Sequence, residues 1–221
     1  MAMATATATR VATPQFASET FDLAAFEATL LQSDPFDYLI VPGFIRPDAL
    51  VALNRDFPAI EGPSNHPPER LRYGPAFASF LDSLQSAELA ALYGHKFGVD
   101  LSGCHATIAI RRFCEATDGN IHTDHKSKVI TVLFYFNETW PHDGGRLRLL
   151  RTATDVEDFA AESVPEGGAM LAFRRTDHSW HGHKPYVGER RILQLSYPRG
   201  GDAARLVSSL TKPLRRLLGK S

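Results

Sequence analysis

The sequence predicts an α+β protein that is mainly β, with helices of the N-terminal half packed on a β-sandwich or barrel formed by the C-terminal half. Three observations predict it. Apolar residues recur at helical spacing up to about residue 97, and short β-branched and aromatic runs separated by Gly, Pro and Asp turns take over after Gly103. One of those runs, residues 129–136, is apolar at nearly every position, as in a central strand covered on both faces. The length of 221 residues, with 43% hydrophobic and 22% charged content, suits one globular domain of this class.

Taken in order, residues 1–19 are Ala/Thr-rich with a single Arg and contain no apolar run of the kind a secretory signal needs, so they read as a disordered leader. Residues 20–200 form one domain, with helical support over 20–100 and the β core over 101–200. From Ser18 onward, Leu23, Phe26 and Leu30 share a helical face. Residues 38–44 form a short strand, and Pro47-Asp48 opens a second helix running to about Phe57. A loop from Glu61 to Gly74 carries Pro63, Pro67 and Pro68, and helices follow over Ala76–Leu84 and Ala87–Phe97. In the core, strands are expected at His105–Phe113, Val129–Phe136, Arg146–Arg151, Ala169–Phe173 and Arg191–Tyr197, with turn chemistry at Ala116–Asn120 and a loop at Thr152–Pro165. Residues 201–221 form a basic tail, amphipathic from Leu206 to Lys220 and interrupted by Pro213.

Twenty-four Lys+Arg against twenty-five Asp+Glu give a net charge of −1, which supplies no general attraction to nucleic acid or an anionic membrane. No apolar run approaches the ~20 residues of a spanning helix. Two cysteines, Cys104 and Cys114, are too few for a disulfide framework and read as thiols of a reducing compartment, hence a cytoplasmic location. Nine histidines, six of them between His122 and His183, are the compositional anomaly.

The sharpest motif is Ile121-His122-Thr123-Asp124-His125. In extended chain, alternate side chains share a side, so His122 and Asp124 point together while Thr123 points away. An imidazole and a carboxylate on one face are two-thirds of a facial triad, and two His with one carboxylate leave three octahedral positions open, as a non-haem Fe(II) oxygenase needs. A second cluster, from Asp177 through His178, His181 and His183 to Arg190 and Arg191, offers a third ligand and, one strand further, a guanidinium whose forked donors suit the far carboxylate of a diacid. His181 and His183 are both candidates for the ligand. Lys126, Lys128, Arg146 and Arg148 read as solvated surface charge near the mouth of such a barrel.

From about Phe36 to Tyr197 the chain resembles the 2-oxoglutarate- and Fe(II)-dependent oxygenases, and within them the prolyl-hydroxylase-like branch. The resemblance rests on His122-x-Asp124, the strand ending at Asn137, Gly144-Gly145 leading into Arg146-Leu-Arg-Leu149, the segment Pro165–Phe173, and His181-x-x-x-Pro185 followed by Gly188-x-Arg190. It implies a double-stranded β-helix (jelly-roll) core braced by N-terminal helices. It also implies Fe(II) on His122, Asp124 and His181, and the C5 carboxylate of 2-oxoglutarate on Arg190, with Arg191 the neighbouring alternative. Tyr135 falls where several relatives carry a tyrosine bonded to that carboxylate, although plain core filling would also explain it. Period-2 geometry sets Thr131 and Leu133 on the face of Tyr135, which makes Thr131 a further candidate contact to the cosubstrate.

The implied activity is dioxygenation: O2 and 2-oxoglutarate are consumed, a substrate C–H bond is hydroxylated, and succinate and CO2 leave, with ascorbate as an accessory reductant. Relatives often carry Arg-Tyr ahead of the His-x-Asp, whereas Arg112-Phe113 stands there in this chain, without the hydroxyl. The competing reading is a cupin-like protein holding Zn(II) or Mn(II) without 2-oxoglutarate turnover, for which Arg190 has no role. The sequence names no substrate, small-molecule or peptidyl; the loops at 61–74 and 152–165 are expected to shape that choice.

Overall fold

Local signals fix the helices in a computed structural model that describes residues 19–199. The expected leader, apart from its last residue, and the expected basic tail lie outside the described residues. Helix α1 (Leu23–Ala28) is capped by Asp22, whose Oδ1 accepts from the Ala25 amide at 3.0 Å. Strand β1 spans Tyr38–Val41, and α2 (Pro47–Arg55) starts on the proline that the sequence marks. After a 3₁₀ turn at Pro68–Arg70 comes α3 (Pro75–Leu84). Its first turn takes its cap from a distance, since Asp56 Oδ2 accepts from the Ala76 amide at 2.8 Å. Helix α4 (Ala87–Phe97) has Ser86 as N-cap and ends on Gly98 in the left-handed region, φ +60°.

Seven further strands follow: β2 (Thr107–Cys114), β3 (Lys128–Tyr135), β4 (Leu147–Leu150), β5 (Phe159–Ser163), β6 (Met170–Arg174), β7 (His181–Gly182) and β8 (Gly188–Pro198). They form two antiparallel sheets, one in the order β1-β6-β3-β8-β2 and one in the order β5-β4-β7. Mainly antiparallel β with bracing helices is the jelly-roll architecture expected. β1 departs from the expected division of the domain: it lies in the helical half of the sequence but pairs with β6 at the edge of the larger sheet. β5 was not expected at all, because it lies inside the stretch read as a loop. As the edge strand of the small sheet it is half-buried along most of its length, so its sequence lacks the apolar signature of a strand.

The period of two sorts the large sheet into two faces. Ile130, Val132, Phe134 and Phe136 face the helices together with Leu193, Leu195, Tyr197, Met170 and Ala172, and pack on Phe77, Phe80, Tyr93 and Phe97. The Phe80 ring meets those of Phe134 and Phe136 edge-on, each at 5.7 Å between centroids. The opposite face presents Leu133, Tyr135, Leu171, Phe173 and Ile192 to Leu147 and Leu149 of the small sheet. The helices thus brace one side of the sheet and leave the other to the space between the sheets. Among the described residues no helix is long and apolar enough to cross a membrane.

Candidate active site

Two β-bulges re-aim side chains beside the space between the sheets. Pairing of β2 with β8 shifts between Arg111 and Phe113, so Arg111 and Cys114 both reach one cavity although they stand three positions apart. Pairing of β3 with β8 shifts between Lys128 and Ile130, which frees Lys128 from the helix-facing parity of Ile130. Its ammonium reaches Asp124 Oδ1 at 2.8 Å and is buried there with only 3% of the residue exposed. Lys128 is therefore not the solvated surface charge expected. Arg148 is also buried, in ion pairs with Glu162 at 2.6 Å and Glu157 at 2.9 Å, and Arg146 bonds the His142 carbonyl and Glu162.

His122 and His181 face each other across an isolated antiparallel bridge in which each amide donates to the other's carbonyl at 3.0 Å. Their rings lie 4.4 Å apart. His122 Nδ1 is 2.8 Å from the Asn120 carbonyl and His181 Nδ1 is 2.9 Å from the Ser179 carbonyl. A carbonyl only accepts, so each Nδ1 carries the proton and each Nε2 keeps a free lone pair. With a carboxylate oxygen of Asp124, one ligand atom from each residue lies within 4.8 Å of the others, a group able to hold a metal ion. Thr131 donates its hydroxyl to Asp124 Oδ2 and also lines the cavity beside it. Arg175 Nε donates to the Asp124 carbonyl at 3.1 Å.

Electrostatics keep this donor set in its ligand-competent form. Burial alone would raise the Asp124 carboxyl, but the Lys128 ammonium, His181 and the hydrogen bonds from Lys128 and Thr131 outweigh it and hold the group well below the usual carboxylate range. Burial pushes His181 down to about 4 despite the attraction of Asp124. His183, with burial as its main cause and Arg190 as the next, is also pushed down to about 4. Imidazole nitrogens together with an ionised carboxylate are the hard-to-borderline set that suits Fe(II).

A cavity of about 300 Å³ opens on these residues and is lined as well by His183, Cys114 and Arg190. The Arg190 guanidinium is buried, 3% exposed, donates from Nε to the Gly145 carbonyl at 2.8 Å, and makes no ion pair among the described residues. Its Cζ lies 5.6 Å from the centroid of the Tyr135 ring. Tyr135 is buried, its hydroxyl has no hydrogen-bond partner among the described residues, and it does not itself line the cavity. Burial raises its phenol, with Arg190 pulling the other way. A buried cation without a counter-ion among the described residues fits the distal carboxylate of a small diacid.

The neighbours of these residues in sequence go elsewhere. Arg191, on the other face of β8, binds Glu189 at 2.6 Å and lies over the Phe57 ring on the helix side. His183 lines the cavity but stands outside the metal-competent group, its Nδ1 donating to the Lys184 carbonyl at 2.8 Å. His125 is tied to Ser127 Oγ at 2.7 Å, and His178 lines a separate hollow with Arg174 and Arg175. Phe113 does not line the cavity. The rim is completed by Asn65 from the 61–74 loop, the Arg111–Asp118 ion pair and Asn120, none of which the motifs pointed to; the 152–165 stretch contributes nothing to it.

Comparison with known proteins agrees with this geometry. Residues 110–197 match the family model described as the 2OG-Fe(II) oxygenase superfamily, a span that holds His122, Asp124, His181 and Arg190. No curated protein matches the chain significantly. Among solved structures, a prolyl-4-hydroxylase from Pseudomonas putida is similar, with a TM-score of 0.54, 19% identity, and 74% of this chain and 93% of the other covered. A viral collagen prolyl hydroxylase from Paramecium Bursaria Chlorella virus-1, solved with 2-oxoglutarate, gives a TM-score of 0.54 at 13% identity over 76% of this chain and 98% of the other. Over residues 110–197 the chain is therefore similar to the 2OG-Fe(II) oxygenase superfamily, and its fold is like that of the prolyl hydroxylases.

Proposed function

We propose that His122, Asp124 and His181 hold Fe(II) and that Arg190, with the Tyr135 hydroxyl behind it, binds the C5 carboxylate of 2-oxoglutarate. The observation that carries the reading is the Arg190 guanidinium, buried without a carboxylate partner among the described residues and lining the same cavity as the His-Asp-His group. Bound Fe(II) and 2-oxoglutarate supply activation of O2 and hydroxylation of a C–H bond, with succinate and CO2 released. The chain's own part is geometric. The two backbone-anchored imidazoles present their Nε2 atoms, and Lys128 and Thr131 set the plane of the Asp124 carboxylate. The apolar wall of Leu133, Leu147, Phe173 and Ile192 keeps water from the inner end.

The rim residues Asn65, Arg111, Asp118 and Asn120 favour a polar substrate, small-molecule or peptidyl, approaching from that side. The two free thiols, Cys104 and Cys114, support a cytoplasmic setting. The test is anaerobic. Fe(II) followed by 2-oxoglutarate is added to the metal-free protein, and the weak visible charge-transfer band of the chelate is followed. The expected outcome is a band that disappears on admitting O2 with formation of succinate, and that is lost in Asp124→Ala and His181→Ala. Metal binding without a band would overturn the Arg190 assignment, and absence of metal binding would overturn the triad.

A further inference from the structure

We infer that the substrate taken at this site presents N–H or O–H groups, and that His183 is the specificity-determining residue that selects for them. The inference rests on the reading of the cavity as a 2-oxoglutarate site and deepens it by naming the chemistry of the substrate. His183 is buried, 8% exposed, and lines the cavity outside the His-Asp-His group. Its Nδ1 donates to the Lys184 carbonyl at 2.8 Å, so in the neutral ring Nε2 can only accept. That atom has no hydrogen-bond partner among the described residues. The turn beside it adds to the same wall. The His183 amide donates to the Gly119 carbonyl at 3.0 Å, and the missing Cβ of Gly119 lets the imidazole lie against the turn. Asn120 commits Nδ2 to the Thr117 carbonyl at 3.1 Å, which leaves Oδ1 to accept. Asp118 takes Arg111 and the Glu115 amide on Oδ2, which leaves its Oδ1. Asp118, Asn120 and His183 all line the cavity, so one wall carries three acceptor atoms.

2-Oxoglutarate cannot satisfy such a wall. Its two carboxylates and its keto oxygen have no hydrogen to give, and the group that matches them is the Arg190 guanidinium. The donors must come from the substrate. A site shaped to bond an N–H or O–H rejects an analogue that lacks it, because the buried acceptor is then left unpaired. A prolyl residue within a peptide brings no N–H of its own, so the wall favours an alcohol or a secondary amide over it.

The experiment uses the full chain labelled with ¹⁵N-histidine and loaded with Zn(II) and 2-oxoglutarate, a form without turnover, and His183→Gln assigns the His183 signals. The probes are matched pairs: pyrrolidinone with N-methylpyrrolidinone, and ethylene glycol with its dimethyl ether. At least one donor probe is expected to bind about fivefold or more tightly than its methylated counterpart and to shift the His183 Nε2 signal. A preference in the lactam pair alone identifies an N–H substrate, one in the glycol pair alone an O–H substrate, and one in both a wall that accepts either. His183→Leu is expected to bring the members of each pair within about twofold, whereas His183→Gln, which keeps an acceptor oxygen, retains the preference. Asn120→Leu gives a smaller loss of preference and serves if His183→Leu folds poorly. Equal or weaker binding of both donor probes, binding of neither, or a proton on His183 Nε2 in the unaltered protein overturns the proposal. Unmoved His122 and His181 signals on adding Zn(II) overturn the metal-site reading instead, because those two rings report on it separately.

Discussion

Arg190 enters the space between the sheets with its guanidinium buried and no carboxylate beside it, a state that a chain tolerates where an anion completes it. Taking away one partner of such a pair costs about 3–5 kcal/mol, so Arg190→Ala is expected to weaken 2-oxoglutarate binding roughly 100-fold or more, measured by anaerobic titration of the metal-loaded protein. Arg191→Ala removes the same charge one residue along and should leave that affinity within about twofold, since its guanidinium sits against Glu189 and Phe57 on the helix side. At this scale the motif spacing pointed to His122, Asp124 and His181, which the fold brings together, and to Arg190, which lines the same cavity. Lys128 was not legible, because a charge at the start of an apolar strand reads as an exposed end until the bulge that redirects it is known.

At the scale of elements, alternation along the strands carries most of what a reader of the sequence could recover. The even-numbered apolar positions of β3 face the helices, and the odd positions Thr131, Leu133 and Tyr135 face the space between the sheets, as period two requires. Alternation breaks at both bulges and is absent from β5, which is why the parity of Lys128 and the existence of the edge strand had to come from the pairing itself. The turn at 116–120 is another element whose role is invisible in its composition. Gly119 has φ +89°, and a Cβ there would stand 2.4 Å from His183 Nδ1 and from the His183 carbonyl oxygen. Gly119→Ala is therefore expected to cost about 1–3 kcal/mol, read as a lower urea midpoint, with His183 displaced from the cavity wall.

For the whole molecule, the helices and the large sheet make one aromatic core while the chemistry is confined to the other face, so stability and site can be probed separately. Phe80→Ala should remove about 3–5 kcal/mol by opening a cavity among Phe77, Phe134 and Phe136, and the protein that remains folded should still bind metal. Acid acts on the other face. His181 and His183 titrate near 4 in the folded protein against an ordinary value of 6.5, so the unfolded chain holds more protons between those limits. Their contribution is complete above about pH 6.5. It drains as pH falls toward 4, by up to about 1.4 kcal/mol per pH unit for each imidazole, which urea unfolding of the metal-free protein at pH 7.5 and 5 would measure.

The reciprocal bridge between His122 and His181 extends this dependence to the seam of the small sheet. A cation shared by the two imidazoles would pin the same two residues through their side chains that the amides already pin through the backbone. Loading would thus act as a rivet across a seam otherwise closed by three backbone hydrogen bonds among the described residues, the third from the His183 amide to the Gly119 carbonyl. The amides of His122 and His181 would then act as a built-in gauge of occupancy, exchanging with deuterium more slowly as the site fills while the aromatic core keeps its rate.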